Sequence, residues 1–144
     1  MRKTRLIQLL IFAICFSNCS TSKQGVEGRI TQVSKGNLNK TQLANNEGGV
    51  NTNILITIAL AYDEIPKNSK GFYETPDEKL IVKRTKSDAN GNFRVSLSAG
   101  VYTVLLETKD GWFAKERDKN GVLNKITVEG KELITKNFEI EKSR

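Results

Sequence analysis

Histidine is absent from this chain of 144 residues, and cysteine and proline occur only twice each. Without an imidazole, a serine or cysteine nucleophile has no His to activate it, and zinc chemistry loses its usual nitrogen ligand. Long apolar runs are missing too. The longest, Leu6–Phe16, is interrupted by Gln8 and falls short of the roughly 20 residues that a bilayer-spanning helix requires. Arg2, Lys3 and Arg5 precede it, and a basic stretch leading into a short apolar one has the layout of an export signal. Helical periodicity is scarce beyond it.

What the chain does contain is a series of short strand-like runs separated by Gly, Asn and Asp. They are Val26–Val33, Asn53–Tyr62, Lys79–Ser87, Asn92–Ser98, Val101–Thr108, Val122–Val128 and Ile134–Ile140, with a shorter piece at Trp112–Lys115. A hydrophobic content of 38% on this length suits one domain. Seven or eight strands in one domain predict an all-β antiparallel sandwich. In Asn53–Tyr62 the period of two puts Ile54, Ile56, Ile58, Leu60 and Tyr62 on one face. The other face, Leu55, Thr57, Ala59 and Ala61, is also fairly apolar, which predicts a central strand. Two long polar segments, 34–52 and 63–78, interrupt the pattern, and loops of that length are where a binding function is expected.

The residues after the apolar run, "FSNCS", resemble the lipobox of bacterial lipoproteins, in which a cysteine becomes the acylated first residue of the mature chain. Cys19 is the matching position. Cys15 is preceded by the bulky Ile14, while Phe16 and Asn18 depart from the usual Leu and Gly or Ala. The resemblance implies a signal peptide over 1–18, a lipidated Cys19 with a polar tether over 19–24, and one folded domain over 25–144. The cysteine count agrees, because cleavage before Cys19 leaves a single thiol, which is odd in an exported domain unless it is modified. Two or three acyl chains, at about 0.8 kcal/mol per buried methylene, make a permanent membrane anchor. The expected address is the cell envelope, at the outer membrane and on its periplasmic face, since Ser20 and Thr21 lack the acidic residues that accompany surface display in similar lipoproteins. Three of the 23 basic residues leave with the signal, so 20 stand against 16 acidic ones, a net +4 spread along the chain. Lys83, Arg84 and Lys86 alternate between strand faces, and nucleic acid is not an expected partner.

In "SDANGNFRVSLSAGVYTVLLE", Ser87–Glu107, the residues Asp88, Asn90 and Asn92 have the spacing of the first three ligands of a calcium loop. The twelfth position is Ala99 where such a loop needs Glu, and strands flank the motif instead of helices. A turn explains these residues better: Asp88 caps its own backbone, Asn90-Gly91 supplies positive φ, and Phe93, Val95 and Leu97 face inward. A weak calcium site of extracellular affinity at Asp88, Asn90 and Asn92 is the alternative. The hairpin closes through Ser98-Ala99-Gly100, with Gly100 at a position that needs a missing Cβ. As a whole it resembles the D-x-x-G-x-F-x-V-x-L-x-x-G-x-Y signature of carboxypeptidase regulatory-like domains, matched by Asp88, Gly91, Phe93, Val95, Leu97, Gly100 and Tyr102. Gly25–Asn37 and Gly111–Lys131 are similar to further segments of such lipoproteins from Bacteroidota, although Leu38-Asn39 stand where Met-Pro-Gly is usual. The resemblance implies a transthyretin-like (prealbumin-like) Greek-key sandwich, a fold and not an activity. The zinc peptidase domain that such sandwiches accompany is missing.

Candidate catalytic groups are few. Ser20–Lys23 fits an S-x-x-K pattern but lies in the tether. Asp63/Glu64 and Asp77/Glu78 are carboxylate pairs at the ends of one loop, on a small sandwich expected to lack a deep cleft. Lys83, Glu107 and Asn137, on three separate strands, would be the partners of a Lys–Asn crosslink of the kind found in related adhesin sandwiches. Aromatic residues make the better case for binding: Phe72 and Tyr73 lie in a long loop, and Trp112 and Phe113 follow a turn at Asp110-Gly111. These four are the candidate ligand or partner surface, with Trp112 favoured as a cap on the core. The expected function is a non-catalytic accessory or binding module without a cofactor, its partner an envelope protein. A glycan is the alternative ligand, and a small hydrolase the third reading.

Overall fold

The computed structural model describes residues 24–33 and 48–141. They form a β-sandwich of two five-stranded sheets, and the only helical piece among them is a short 3-10 turn at Glu78–Leu80. The first sheet is organised around β1 (Gly25–Val33), flanked on one side by β2 (Gly48–Gly49) and β5 (Asn92–Ser96), both antiparallel to it. On the other side lie β9 (Leu133–Thr135) and β10 (Phe138–Glu141). The second sheet runs β4 (Ile81–Lys86), β3 (Asn53–Ile58), β6 (Gly100–Thr108) and β7 (Gly111–Phe113), with β8 (Ile126–Val128) also paired to β6.

Period-two alternation explains the core between the sheets. Val26 and Ile30 from β1, Phe93 and Val95 from β5, and Phe138 and Ile140 from β10 meet Ile54, Ile56, Tyr102, Val104 and Leu106 from the second sheet. A second apolar cluster covers the outer face of that second sheet. Leu55 and Leu105, which point away from the first core, pack there with Leu60, Ile65, Tyr73 and Leu123 from the connecting segments. β3 is central and buried on both faces for this reason.

Three details differ from the sequence pattern. β9 and β10 run parallel to β1, so the sandwich is not wholly antiparallel; the chain leaves β8 in one sheet and enters the other beside β1. The expected single strand Ile134–Ile140 is broken at Lys136-Asn137, where the Lys136 amide donates to the Glu27 carbonyl and the Arg29 amide donates to Asn137 Oδ1. The expected runs Asn53–Tyr62 and Val122–Val128 are also shortened. β3 carries a register shift against β4 at Ile56/Thr57 and ends at Ile58, which like Tyr62 is half-exposed, while Asn124 takes a left-handed backbone conformation (φ 36°) that interrupts the second run.

The β5–β6 hairpin follows the expected plan with one change. Gly100 is not in the left-handed region; a Cβ there would stand 3.0 Å from the Tyr102 hydroxyl and 3.2 Å from its ring. Its small size lets Tyr102 fold back so that its hydroxyl donates to the Ser98 carbonyl at 2.8 Å. At the start of the hairpin, Asp88 accepts from the amides of Asn90 and Asn92, and Gly91 has φ 81°. The same five-residue turn recurs at Asp118–Val122 and Asn68–Phe72, where the first side chain accepts from the amides two and four residues on and a glycine at φ 82° stands fourth.

Candidate functional site

The four aromatics singled out from the sequence are brought together by one of these turns. Asn68–Phe72 reverses the 63–78 segment so that Tyr73 pairs with Trp112, amide to carbonyl in both directions at 2.9 Å, as an extra rung beside β7. Alternation along this rung sends Phe72 and Phe113 to one face, with ring centroids 6.3 Å apart, and Tyr73 and Trp112 to the other. Tyr73 is only 5% exposed, with Lys67 Nζ 4.6 Å above its ring. Trp112 packs on the second core and donates to Thr75 Oγ1, and Phe113 packs on the first. Of the four, Tyr73 is withdrawn into the second core, while Phe72, Trp112 and Phe113 stay partly exposed.

Phe72 lines a cleft of about 760 Å³ at one end of the sandwich. It is an open depression formed where strand ends and connections meet. β1 and β10 contribute Gln32 and Ile140, the approach to β3 contributes Val50–Asn53, β4 contributes Lys86, and the β6–β7 corner contributes Glu107–Asp110. Carboxylates within it are engaged: Glu107 accepts a short hydrogen bond from Asn53, and Asp110 accepts from Lys70 Nζ at 2.6 Å. Lys70 holds the Asp110 carboxyl below the usual carboxylate range. An acid catalyst would need the opposite shift.

The remaining sequence candidates separate in space or in role. Glu64 accepts from the Ala61 amide and Asp77 from the Lys79 amide, while Glu78 pairs with Arg84. Among the described residues no interaction joins the Asp63/Glu64 pair to Asp77/Glu78. Of the crosslink candidates, Glu107 contacts Asn53 and Asn137 contacts Arg29, while Lys83 lies exposed on β4. Asp88, Asn90 and Asn92 form the turn described above, and among the described residues no group of three or more His, Cys, Asp or Glu is placed to hold a metal ion. Cys19 and Ser20–Lys23 lie outside the described residues. No helix among the described residues is long and apolar enough to cross a membrane.

The chain matches no protein-family model, no curated protein and no solved structure.

Most of the cleft is not legible in the sequence, because its residues come from six separate stretches that share no local pattern. A second, smaller pocket of about 330 Å³ lies between β1, β10 and the Ala114–Lys125 connection. Its one local signal was "DKNGV", Asp118–Val122, a repeat of the "DANGN" turn that folds this connection back.

Carboxylate pairing is expected to make the fold sensitive to acid. Asp88 is held low by the Asn92 amide, Asp118 by Lys125 and the Val122 amide, Asp110 by Lys70, Glu78 by Arg84 and Asp77 by the Lys79 amide. The unfolded chain binds protons on these groups more readily, so their stabilisation is complete above the unfolded carboxylate range of about 4 and is lost as pH falls from there through the lower folded values. Circular dichroism in urea is expected to show stability declining from about pH 5 downward, less steeply in Asp110→Asn. Equal stability at neutral and strongly acid pH contradicts this.

Proposed function

We propose that this protein is an exported lipoprotein, held at the membrane through Cys19, whose sandwich is a non-catalytic binding module of the transthyretin-like, carboxypeptidase regulatory-like kind. The observation that carries the binding role is the end cleft, where an aromatic ring, several amides and already paired carboxylates line an open surface. Phe72 beside Asn51, Asn53 and Gln32 suits a hydroxyl-rich ligand, which stacks on apolar rings and bonds to amides. A glycan is the ligand class this lining fits best. The absence of histidine removes Ser-His and Cys-His hydrolysis, and the lowered Asp110 is unsuited to the part of a general acid.

Chain direction supports a display arrangement. Gln32 lines the cleft, and Gly25 begins the same strand seven residues earlier, about 23 Å away at strand spacing. Five residues, Ser20–Gln24, join Gly25 to Cys19, six steps along the chain and a reach of about 22 Å at most. An anchor at Cys19 therefore holds the β1 start near the bilayer and turns the cleft outward. Ile58, Val82 and Val101, all half-exposed, lie toward the end of the second sheet opposite Asn53 and Glu107. That membrane-proximal end favours, as a second reading, contact with a membrane protein.

Photo-crosslinking from single positions in the lipidated protein separates the two readings. A crosslinker at Asn51 is expected to capture the ligand and one at Ile58 a membrane protein if that contact exists. Capture from neither position, or a Cys19→Ala protein that stays in the membrane fraction, contradicts the proposal.

A further inference from the structure

We infer that the end of the sandwich opposite the cleft is a lipid-contacting surface, bedded in the bilayer interface through apolar side chains. The inference rests on the proposed anchor at Cys19 and adds to it an orientation and a direct contact. The exposed large hydrophobic residues among the described ones are Ile58 (46%), Tyr62 (46%), Val82 (43%) and Val101 (41%). They gather in one region. Ile58 ends β3 and pairs with Tyr102, next to Val101 at the start of β6. Val82 follows Ile81, which pairs with Thr57, the neighbour of Ile58. Tyr62 comes four residues after Ile58, and none of the four lines the cleft.

The chain from Cys19 enters at this same end. The Leu97 amide donates to the Gln24 carbonyl at 3.4 Å, and the Gly25 amide donates to the Glu132 carbonyl at 2.9 Å. Leu97 stands four residues before Val101, about 14 Å at most. Cys19 lies no more than about 22 Å from Gly25, so an anchor there keeps lipid within reach of these side chains. Tethering raises the effective concentration of the surface, and a few apolar side chains removed from water then suffice to hold the contact.

Shape and charge favour lipid over a protein as the occupant. By alternation Ile58 lies on the face of Ile56, toward the first core, and Val101 on the face of Leu105, so the two straddle the end of the sheet. A rim of separate protruding side chains does not make the continuous patch of about 800 Å² that a stable protein partner covers, whereas a fluid interface closes around it. Arg117 lies 4.8 Å over the Tyr62 ring, an amphipathic pair suited to the boundary between acyl chains and headgroups. Nearby charges nearly cancel. Lys79 pairs with Asp77 and Arg84 with Glu78, while Lys83 and Lys131 are set against Glu129 and Glu132. The contact is therefore apolar and independent of anionic lipid.

The test uses the full lipidated chain in protein-free vesicles of phosphatidylethanolamine and phosphatidylcholine. An environment-sensitive fluorophore is attached at Val101→Cys, at Val82→Cys or, as control, at Asn51→Cys in the cleft, and lipids brominated near the headgroup end of their acyl chains are the quencher. Emission from positions 101 and 82 is expected to fall about twofold or more, in low and high salt alike, with emission from position 51 unchanged. Adding Val82→Asp should weaken the quenching at position 101 while flotation with the vesicles and circular dichroism stay as in the parent protein. Flotation without quenching at position 101, or with equal quenching at 101 and 51, overturns the inference and leaves the anchor standing. Absence of flotation overturns both. A membrane protein crosslinked from position 101 in native membranes, with no quenching in the vesicles, assigns this end to that partner and overturns the lipid contact.

Discussion

Truncating Leu105 to alanine is expected to lower the unfolding free energy by about 2–5 kcal/mol. The figure is large because Leu105 is fully buried (0% exposed), although it points away from the core between the sheets. In a sandwich with one wet face, the outward residues of a central strand are tolerant, and their truncation changes stability by about 0.5 kcal/mol or less. Here the 63–78 hairpin and the Ala114–Lys125 connection cover that face with Ile65, Tyr73 and Leu123. Urea unfolding of Leu105→Ala should therefore match that of Leu106→Ala, its inward neighbour. A loss on a total of about 5–15 kcal/mol is readily measured. A near-neutral Leu105→Ala would mean that the second cluster is not a core.

Gly91→Ala is expected to cost about 2–4 kcal/mol, against about 1 kcal/mol for Gly71→Ala. The two glycines share a turn type and a φ of 81° and 82°, so the backbone penalty is common to both. Their surroundings differ. A Cβ on Gly91 would lie 2.1 Å from the Ile30 carbonyl oxygen and 2.9 Å from the Val50 amide, whereas nothing lies within 4 Å of one on Gly71. The Ile30 amide donates to the Gly91 carbonyl at 2.8 Å, so the clash pushes apart the contact between the first turn of the hairpin and the central strand. Equal losses in the two variants would show that only the conformation, and not the close approach, matters at Gly91.

Much of the fold is legible in the sequence because strands and tight turns are written locally. "DANGN" forms the expected turn, and the alternation of Phe93, Val95, Tyr102 and Val104 puts each of them in the first core. "NSKGF" and "DKNGV" carry the same turn and were readable by the same rule, with a donor-capturing Asp or Asn first and Gly fourth. The second core was not legible. Leu60, Ile65, Tyr73 and Leu123 are single apolar residues in polar connections, without a period to mark them, and only their meeting over Leu55 and Leu105 makes a cluster. Parallel pairing of β9 and β10 with β1 depends on which sheet the chain enters after β8, a choice made by the whole topology. Asn124 was hidden for a related reason: an Asn inside "VLNKITV" reads as a strand residue until its backbone is seen to turn left-handed.

The candidate site shows the same division. Aromatic residues drew the eye to Phe72, Tyr73, Trp112 and Phe113, and these do assemble, but three of them serve the cores. The cleft around Phe72 is made by strand ends distant in sequence.

Binding of the purified lipidated protein to a glycan array, wild type beside Phe72→Ala, is the most direct test of the proposal that the end cleft is the working surface. The account predicts retention of a defined glycan class by the wild type and a loss of about tenfold or more in Phe72→Ala, the loss of one aromatic stacking contact from a small interface. Undiminished binding by Phe72→Ala, or no glycan bound by the wild type, contradicts it.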